Sequence, residues 1–364
     1  MPNGAVLKPR LSKVILSLSF FAMSVAKNDT PSLIREAMLN WYDRHARVLP
    51  WRARPFEKPD PYHVWLSEVM LQQTTVGAVK SYFEKFVTLW PSVHDLADAA
   101  QETVMKEWAG LGYYSRARNL HKCARVVAEK YDGVFPSDIK TLKLLPGIGD
   151  YTAAAIASIA FDRPAIVIDG NIERVISRLY IIDTPLPDSK RIIRNYAEHL
   201  FVGENQNRPS CFAQSLMDLG ATICTPRSPK CMICPINQYC KAYKTADPSI
   251  YPFKKPKKKI PEKHAIAIIY IHNDKIGIET RPEKGMLGGM IGFPTTEWVE
   301  VDVPLTGEYK ESLKIRHVFT HFALTLYPLF LSDETDMMIG KDEMDTAGLP
   351  TLFKKLWNMI KSEI

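Results

Sequence analysis

The chain has 364 residues, about twice the size of a typical single domain, so two domains are expected. Hydrophobic residues make up 46% of it and charged residues 24%, which excludes an intrinsically disordered chain. The 47 Lys and Arg residues exceed the 40 Asp and Glu residues, giving a formal net charge of +7 and a pI near 8.9. This balance favours a polyanionic partner without identifying one.

No stretch reaches the roughly 18 apolar residues that would predict a membrane span. Residues 8–30, KPRLSKVILSLSFFAMSVAKNDT, combine a basic start with a short apolar core, as a signal peptide does. The alternative is that residues 1–29 are an upstream extension from a misplaced start codon, since Met23 shortly precedes an amphipathic pattern. Six cysteines, four of them clustered, do not resemble a secreted disulfide framework, so we expect a cytoplasmic protein.

The segment from residue 30 to residue 244 is predicted to be mostly α-helical. Apolar residues recur at helical spacing in PSLIREAMLNWYDRHA, VWLSEVMLQQTTVGAVKSYFEKFV, ETVMKEWAGL, SRARNLHKCARVVAEKY and NIERVISRLY. Short turns rich in Pro and Gly join these segments, and we find no internal repeat.

A glycine turn interrupts this helical region at residues 145–160, LPGIGDYTAAAIASIA. Gly147 and Gly149 allow backbone geometry and a close approach that a side chain would obstruct, and an Ala-rich helix follows at once. The unpaired N–H groups at the start of that helix attract phosphate. In a basic chain we interpret this segment as a helix-hairpin-helix contact to a DNA backbone, in preference to a plain helix connector.

Two carboxyl groups follow different local patterns. Glu68 lies in VWLSEVML among apolar neighbours, where desolvation would favour its protonated form, although an exposed position on an amphipathic helix is the simpler interpretation. Asp169 follows the β-branched run PAIVI and precedes GNIERVISRLY, which predicts a helix N-cap.

Four cysteines within 17 residues form the most distinctive motif: Cys224, Cys231, Cys234 and Cys240. Four thiolates suit either a tetrahedral zinc ion or a [4Fe-4S] cluster, and two disulfides are disfavoured in a cytoplasmic chain. Only one C-x2-C pair is present, whereas zinc sites are commonly built from two. Cys123 and Cys211 lie in apolar helical settings and are interpreted as core thiols.

A change in composition marks the end of the helical region. Residues 245–261 contain four prolines and five lysines without apolar periodicity and are predicted to form a linker. From residue 262 to residue 364, HAIAIIYIHNDKIGIETRP and FALTLYPLFL predict strands, and GLPTLFKKLWNMIKSEI predicts a closing helix. The fold class is therefore multidomain, with a mostly α part followed by an α+β part.

Several motifs together resemble the helix-hairpin-helix DNA glycosylase superfamily: LPGIGDYTAAAIASIA, VIDGNIERV and the cysteine loop. Within it, LPWR, VWLSEVMLQQTTV, WAGLGYYSRARNL and SLMDLGATICT resemble the MutY-type adenine DNA glycosylases. The resemblance runs from about residue 30 to the C-terminus. It implies a [4Fe-4S] cluster in the loop at 224–240 and a monomeric enzyme that flips and removes adenine mispaired with 8-oxoguanine or guanine in double-stranded DNA.

The resemblance also assigns roles to individual residues. It implies that Glu68 is the general acid that protonates adenine, and that Asp169 stabilises or captures the sugar cation. Asn171 and Tyr151 match pocket positions. Endonuclease III-like relatives carry a lysine at the position of Tyr151 and cleave the strand through a Schiff base, so tyrosine implies a monofunctional glycosylase.

The family places DNA-wedge residues at Gln73 and Tyr113, with Leu111 on the 8-oxoguanine side. Without the resemblance, each would be interpreted as surface or core packing. We interpret Arg116, Arg118 and the linker lysines as general phosphate attraction.

The C-terminal part, from residue 262, resembles the Nudix-like half of this family and is expected to recognise 8-oxoguanine. RPEKGMLGGMIGFP occupies the place of the Gly-rich loop, but no R-E-x-x-E-E metal-binding helix follows it. Thr320 and His321 match a Phe-Ser-His loop of the family, with threonine in place of serine, and Leu287 stands where tryptophan is expected. The alternative is an ordinary amphipathic strand.

Three functions are compatible with these motifs. The first is an adenine glycosylase, the second a bifunctional pyrimidine glycosylase/lyase, and the third a cluster-bearing DNA-binding protein without catalysis. Tyr151 and the extra C-terminal domain argue against the second, and the paired carboxyl groups argue against the third.

Overall fold

The computed structural model describes residues 30–202, 207–256, 259–300 and 311–364. The signal-like segment at the N-terminus lies outside the described residues. The chain forms two compact units. The first comprises the residues up to 46 together with residues 168–253, and the second comprises residues 47–167 together with residues 254–364. The helical part of the chain thus contributes to both units.

The described helices are α1 Thr30–His45, α2 Pro61–Met70, α3 Val76–Leu89, α4 Val93–Asp98, α5 Gln101–Trp108, α6 Ser115–Tyr131, α7 Ile139–Leu142, α8 Asp150–Phe161, α9 Gly170–Tyr180, α10 Lys190–Phe201, α11 Pro209–Thr222, α12 Lys241–Thr245 and α13 Thr351–Ile360. The 3₁₀ turns within the described residues are Cys231–Ile233, Asn237–Tyr239, Pro248–Ile250 and Glu311–Leu313. The described strands are β1 Glu262–His272, β2 Lys275–Gly277, β3 Glu279–Thr280, β4 Ile291–Gly292, β5 Ile315–Val318, β6 Ala323–Leu331 and β7 Met338–Gly340.

The first unit is built around α11, which is buried along most of its length. Helices α1 and α9 both pack on it, and the guanidinium of Arg35 in α1 lies 4.4 Å from the centre of the Phe212 ring in α11. Gly220 of α11 lets α9 approach closely, because a Cβ at this position would lie 2.6 Å from the Cβ of Asn171. This contact places the start of α9 against a rigid, buried helix.

In the second unit, α2 packs against α8. Helix α8 is rich in alanine, and the small side chains of residues 153–155 are buried, which permits close helix packing. Helix α2 contributes Trp65 and Leu66, each with 0% exposure and each stabilising the fold by about 1.5–3 kcal/mol through burial. The helix-hairpin-helix predicted from LPGIGDY is formed by α7, the turn after it and α8, and α7 comprises only the four residues Ile139–Leu142.

The segment VWLSEVMLQQTTVGAVKSYFEKFV is not one continuous helical stretch. Helix α2 ends at Met70, and α3 begins at Val76 with Thr75 as its N-cap. The intervening Gln73 has a φ of 57°, a left-handed conformation that no helix interior accommodates. The break contains neither Pro nor Gly, so the sequence pattern did not reveal it.

The C-terminal part of the second unit contains a five-stranded sheet in the order β5-β6-β1-β2-β7 and a two-stranded ladder of β3 and β4. Strands β1 and β6 are parallel, with Glu262 opposite Ala323, and the other paired strands are antiparallel. Helix α13 packs near β5 and buries Phe353 against Phe293. The predicted strands and closing helix are confirmed.

Part of the segment predicted as a linker is packed. Tyr251 is buried, and its carbonyl accepts a hydrogen bond from Arg178 at 3.2 Å. The carbonyl of Phe253 accepts another from the N–H of Leu186 at 2.8 Å. The next residues, Lys254 and Lys255, are exposed. None of the described helices is long and apolar enough to cross a membrane.

Candidate active site

Glu68 lies near the end of α2 with only 8% of its surface exposed. Its neighbours Ser67, Val69 and Met70 are also buried, so it does not lie on an exposed amphipathic face. Tyr151, in the first turn of α8, donates a hydrogen bond from its hydroxyl to Oε2 of Glu68 at 2.8 Å. The packing of α2 on α8 therefore joins two of the predicted catalytic side chains, which are 83 positions apart.

Asp169 is the N-cap of α9, as the sequence predicted, with φ −92° and ψ 179°. Its Oδ1 accepts the backbone N–H groups of Asn171 at 3.0 Å and Ile172 at 2.7 Å. Its Oδ2 accepts the side-chain amide of Asn171 at 2.7 Å. Three donors and the helix start fix the position of this carboxylate.

Arg174 connects this cap to the cysteine loop within the same unit. Its Nη2 donates to the Asn171 amide oxygen at 3.0 Å, and its Nε donates to the carbonyl of Cys224 at 2.8 Å. Burial is the main cause that lowers the pKa of Arg174, partly countered by the charge of Cys224. The orientation of the Asn171 amide, and with it the donor to Asp169, thus depends on a contact to the first cysteine of the loop.

The four clustered cysteines line one small cavity. Arg178, with 1% exposure, donates to Sγ of Cys224 at 3.2 Å and to the carbonyls of Thr225 at 2.8 Å and Pro226 at 3.1 Å. In the metal-free thiols, burial raises the pKa of Cys234 to about 12. Coordination to a metal deprotonates such thiols, and the Arg178 guanidinium supplies a positive partner for the resulting thiolates.

The remaining cysteines stand apart from this cavity. Cys123 is fully buried in α6, where burial raises the pKa of its thiol to about 12, so it is a core thiol as predicted. Cys211 is half-buried and accepts a contact from Arg208 at 3.4 Å. In the part of the chain that the structure describes, no three His, Cys, Asp or Glu side chains are grouped to hold a single metal ion.

Two residues predicted to wedge into DNA have left-handed backbones in the second unit. Gln73 is exposed with φ 57°, and Tyr113 is 45% exposed with φ 49°. Non-glycine residues rarely adopt such conformations, and they keep them only where the surrounding structure enforces them. Leu111, by contrast, is buried, with 7% exposure.

The hairpin glycines differ from each other. Gly147 has φ +75°, and a Cβ on it would lie 2.8 Å from the Cβ of Asn119, so both conformation and space require glycine. Gly149 has φ −92°, and no atom lies within 4 Å of a Cβ built on it, so the expectation that both glycines are needed for backbone geometry is wrong for Gly149. That glycine is the N-cap of α8 and leaves open space beside the first helical amides.

Thr320 and His321 are exposed in the turn between β5 and β6, so the alternative that they belong to a regular strand is wrong. The hydroxyl groups of Thr320 and Tyr113 are hydrogen-bonded at 2.7 Å across 207 positions of sequence. Phe319 stacks on Trp298 at 5.9 Å between ring centroids and contacts Phe322 at 5.0 Å, which anchors the turn. Leu287 is buried with φ 58°.

Arg116 and Arg118 do not form an open phosphate-attracting surface, and that interpretation is wrong. Arg116 is 9% exposed and donates to the backbone carbonyls of Val69 at 2.8 Å and Met70 at 3.0 Å. Arg118 is half-buried and donates to the carbonyl of Gly288. Both guanidinium groups are used inside the protein.

Sequence reasoning did not single out Arg174 or Arg178. Together with Asn171 they are spaced i, i+3 and i+7 in α9, which places all three on one face of the helix. The recurrence of polar side chains at that spacing along α9 was the available signal.

The chain matches three family models: HhH-GPD superfamily base excision DNA repair protein over residues 66–201, NUDIX domain over residues 265–359, and iron-sulfur binding domain of endonuclease III over residues 224–240. It is 32% identical to the adenine DNA glycosylase of Buchnera aphidicola subsp. Schizaphis graminum (strain Sg), with 90% of this chain and 98% of that protein covered. The chain belongs to the adenine DNA glycosylase family.

Two further comparisons agree with this assignment. The adenine DNA glycosylase of Homo sapiens is 32% identical, in an alignment covering 100% of this chain and 80% of that protein. A solved structure of a thermostable thymine-DNA glycosylase matches with a TM-score of 0.52 and 30% identity, over 60% of this chain and 99% of that one.

As a member of the adenine DNA glycosylase family, this protein is a DNA N-glycosylase that binds DNA and removes adenine in base excision repair. The predicted fold class, a helix-hairpin-helix glycosylase part followed by a Nudix-like part, is confirmed. The predicted [4Fe-4S] cofactor is also confirmed, and the matching segment is the cysteine loop. The soft donor set, the shared cavity and the buried Arg178 fit Cys224, Cys231, Cys234 and Cys240 as the residues that would hold it.

Proposed function

We propose that this adenine glycosylase acts on adenine mispaired with 8-oxoguanine, and with guanine, in duplex DNA. The observation that carries the proposal is the hydrogen bond of 2.7 Å between Tyr113 and Thr320. It brings a residue assigned to the DNA wedge against a residue assigned to lesion sensing, although they come from the helical and the Nudix-like segments. A base beside Tyr113 would therefore meet the hydroxyl group of Thr320.

The catalytic step is proposed to use Glu68 as the general acid. Adenine is a poor leaving group until a ring nitrogen is protonated, and a buried carboxyl group aimed by the Tyr151 hydroxyl suits this transfer. We propose that Glu68 protonates N7 of the flipped adenine and then accepts a proton from the attacking water.

The departing adenine leaves positive charge on the deoxyribose. We propose that Asp169 stabilises or captures this oxocarbenium-like sugar. Its carboxylate is held by donors from Asn171 and Ile172, so it would not need to reorganise as charge develops. In this proposal Asn171 is a positioning residue for the carboxylate.

The hairpin is proposed to hold a phosphate of the DNA backbone. Gly147 makes the tight turn, and the open space at Gly149 leaves the first amides of α8 accessible. Such a contact positions the enzyme without reading sequence.

Substrate preference can be tested with duplexes carrying A:8-oxoG, A:G, A:C or thymine glycol, followed by alkali treatment to reveal abasic sites. We expect alkali-labile sites in the adenine strand, fastest with A:8-oxoG. Cleavage of the thymine glycol strand, or equal rates for A:8-oxoG and A:C, would contradict the proposal.

The lesion sensor can be tested with the double variant Thr320→Ala/His321→Ala. A hydrogen bond to one altered base is worth about 1 kcal/mol, or up to about 3 kcal/mol when a buried group loses its partner. We therefore expect the ratio of A:8-oxoG to A:G single-turnover rates to fall by roughly 5-fold or more. The rate of adenine removal from the A:G duplex should change little, so this rate is the internal control. An unchanged ratio would exclude these residues as the sensor.

The monofunctional mechanism rests on Tyr151, because a phenol cannot form a Schiff base with the sugar. Borohydride should trap little wild-type protein on DNA, whereas Tyr151→Lys is expected to gain trapping and strand cleavage. Efficient trapping of the wild type would show that another amine acts as a nucleophile.

A further inference from the structure

Arg116 is a buried cation whose contacts are not used by the proposed chemistry. Arg116 lies in the first turn of α6, and 9% of its surface is exposed. Burial lowers its pKa to about 10, so the guanidinium remains charged at neutral pH. Its Nε has no hydrogen-bond partner among the described residues, so both terminal nitrogens carry all of its hydrogen bonds.

The first terminal nitrogen holds the end of the helix that carries Glu68. Nη1 donates to the carbonyls of Val69 at 2.8 Å and Met70 at 3.0 Å. These carbonyls belong to the last turn of α2, where intrahelical partners are missing and a positive charge is favourable. The contacts are one and two residues beyond Glu68.

The second terminal nitrogen holds both segments that carry the wedge residues. Nη2 donates to Oγ1 of Thr74 at 3.2 Å, directly after Gln73. It also lies 3.3 Å from the carbonyl of Gly112, directly before Tyr113. The guanidinium carbon lies 5.5 Å from the centre of the Tyr113 ring.

We propose that Arg116 is a positioning residue that couples the Gln73 turn and the Tyr113 loop to the helix of Glu68, so that insertion of the wedge and placement of the general acid occur as one unit. The proposal rests on the function proposed for Gln73, Tyr113 and Glu68. One rigid, planar group with donors on two sides can hold three segments of the chain, two through backbone carbonyls and one through the Thr74 hydroxyl, whereas a lysine ammonium is a single point charge. The strained φ angles at Gln73 and Tyr113 need such an external constraint.

The test compares two substrates for wild type and Arg116→Lys under single-turnover conditions. One duplex carries A:8-oxoG, and the other carries adenine opposite an abasic analogue, where no partner base must be displaced. We expect a loss of about 30- to 100-fold on the first duplex and less than about 5-fold on the second. Equal losses on both would overturn the proposed coupling, because they would show that Arg116 supports only the Glu68 helix or the fold and not the wedge.

A second readout does not require catalysis. Fluorescence of 2-aminopurine placed next to the lesion should rise when wild-type protein inserts its wedge and unstacks the strand. At saturating protein, Arg116→Lys should reduce this rise several-fold, and an unchanged rise would overturn the proposal. If Glu68→Gln keeps full activity, the proposed chemistry fails, but the fluorescence result still decides the role of Arg116.

The matched control is Arg125→Lys, an exposed arginine on the same helix that pairs with Glu129 at 3.5 Å. It should leave both rates and the fluorescence unchanged. Cluster absorbance near 400 nm and the melting temperature report folding of each variant. If Arg116→Lys does not fold, Thr74→Val removes the anchor at the Gln73 turn, together with the hydrogen bond from the Thr74 hydroxyl to the carbonyl of Gln72 at 3.2 Å. It should lower the A:8-oxoG rate by about 3- to 10-fold while sparing the abasic-opposed substrate, and loss on both substrates would overturn the proposal.

Discussion

Glu68 and Asp169 carry the same functional group in opposite surroundings. Glu68 lies within the last turns of a buried helix and accepts a hydrogen bond from a neutral tyrosine hydroxyl. Asp169 lies before the first turn of a helix and accepts three N–H donors at 2.7–3.0 Å. Tyr151 thus supplies a neutral hydroxyl donor to Glu68, whereas Asp169 is held by N–H donors at the positive end of a helix dipole.

Two carboxyl groups in such different surroundings can have different chemical roles. Paired carboxyl groups are assigned to acid and anion roles by their environments rather than by their chemistry. N–H donors and a helix start stabilise charge on a carboxylate, whereas an apolar helical surrounding with a hydroxyl partner does not do so to the same degree. Four substitutions test this contrast, and their expected losses of activity decrease from Glu68 to Asn171.

Glu68→Gln should give the largest effect, because the amide keeps the shape of the side chain but cannot supply a proton. We expect single-turnover adenine release to fall by about 10³- to 10⁴-fold, while binding to the A:8-oxoG duplex is retained. Glu129→Gln, at an exposed site on α6, is the control and should be neutral. Substantial residual turnover would remove Glu68 from the acid role.

Asp169→Asn should come next, because it removes the negative charge beside the developing sugar cation while asparagine still caps the helix. A loss of about 10²- to 10³-fold in single-turnover rate is expected. Asp60→Asn is a matched control, since Asp60 caps α2 through the N–H groups of Tyr62 and His63. Near-wild-type rates for Asp169→Asn would leave this residue only a capping role.

Tyr151→Phe removes the hydroxyl that orients Glu68. Because hydrogen bonds to charged or charge-developing groups are worth about 1.5–3 kcal/mol, the rate should fall by about 10- to 100-fold. The melting temperature should change little, since Tyr151 is only half-buried. An unaltered rate would mean that the contact at 2.8 Å does not position the acid.

Asn171→Ala should have the smallest effect of the four. It removes the side-chain donor to Asp169 but leaves both backbone donors in place, so the carboxylate keeps most of its support. A loss of about 5- to 10-fold is expected for a single hydrogen bond. A loss as large as that of Asp169→Asn would show that the amide itself takes part in the reaction.

Local sequence patterns were sufficient for elements whose cause is local. The N-cap at Asp169 follows from a carboxylate placed before an amphipathic run, and the structure has it there. The cysteine loop was predicted to bind a metal because it has four thiols at close spacing, and soft donors select their metals by chemistry rather than by fold. The strands of the C-terminal part followed from β-branched runs between turn residues.

Other features have causes that are distant in sequence. The break at Gln73 contains no helix-breaking residue, and its left-handed backbone is held by Arg116 from 43 positions away through Thr74. Arg116 itself was misinterpreted as a surface cation, because a single arginine in a helix gives no local sign of burial. Only the packing of α6 shows that its partners are backbone carbonyls.

The helical and α+β halves, the metal-binding thiols, the helix-capping aspartate and, through its motifs, the family could all be predicted from the amino-acid sequence. Tertiary packing brings together groups that are distant in sequence: Tyr151 with Glu68, Tyr113 with Thr320, and Arg116 with the end of α2, the Thr74 hydroxyl and the Gly112 carbonyl. Hydrophobic periodicity and helix capping depend on neighbours within a few residues, so both can be predicted from the local sequence. Contacts across 83 or 207 positions depend on how helices and turns pack, and no local pattern encodes them.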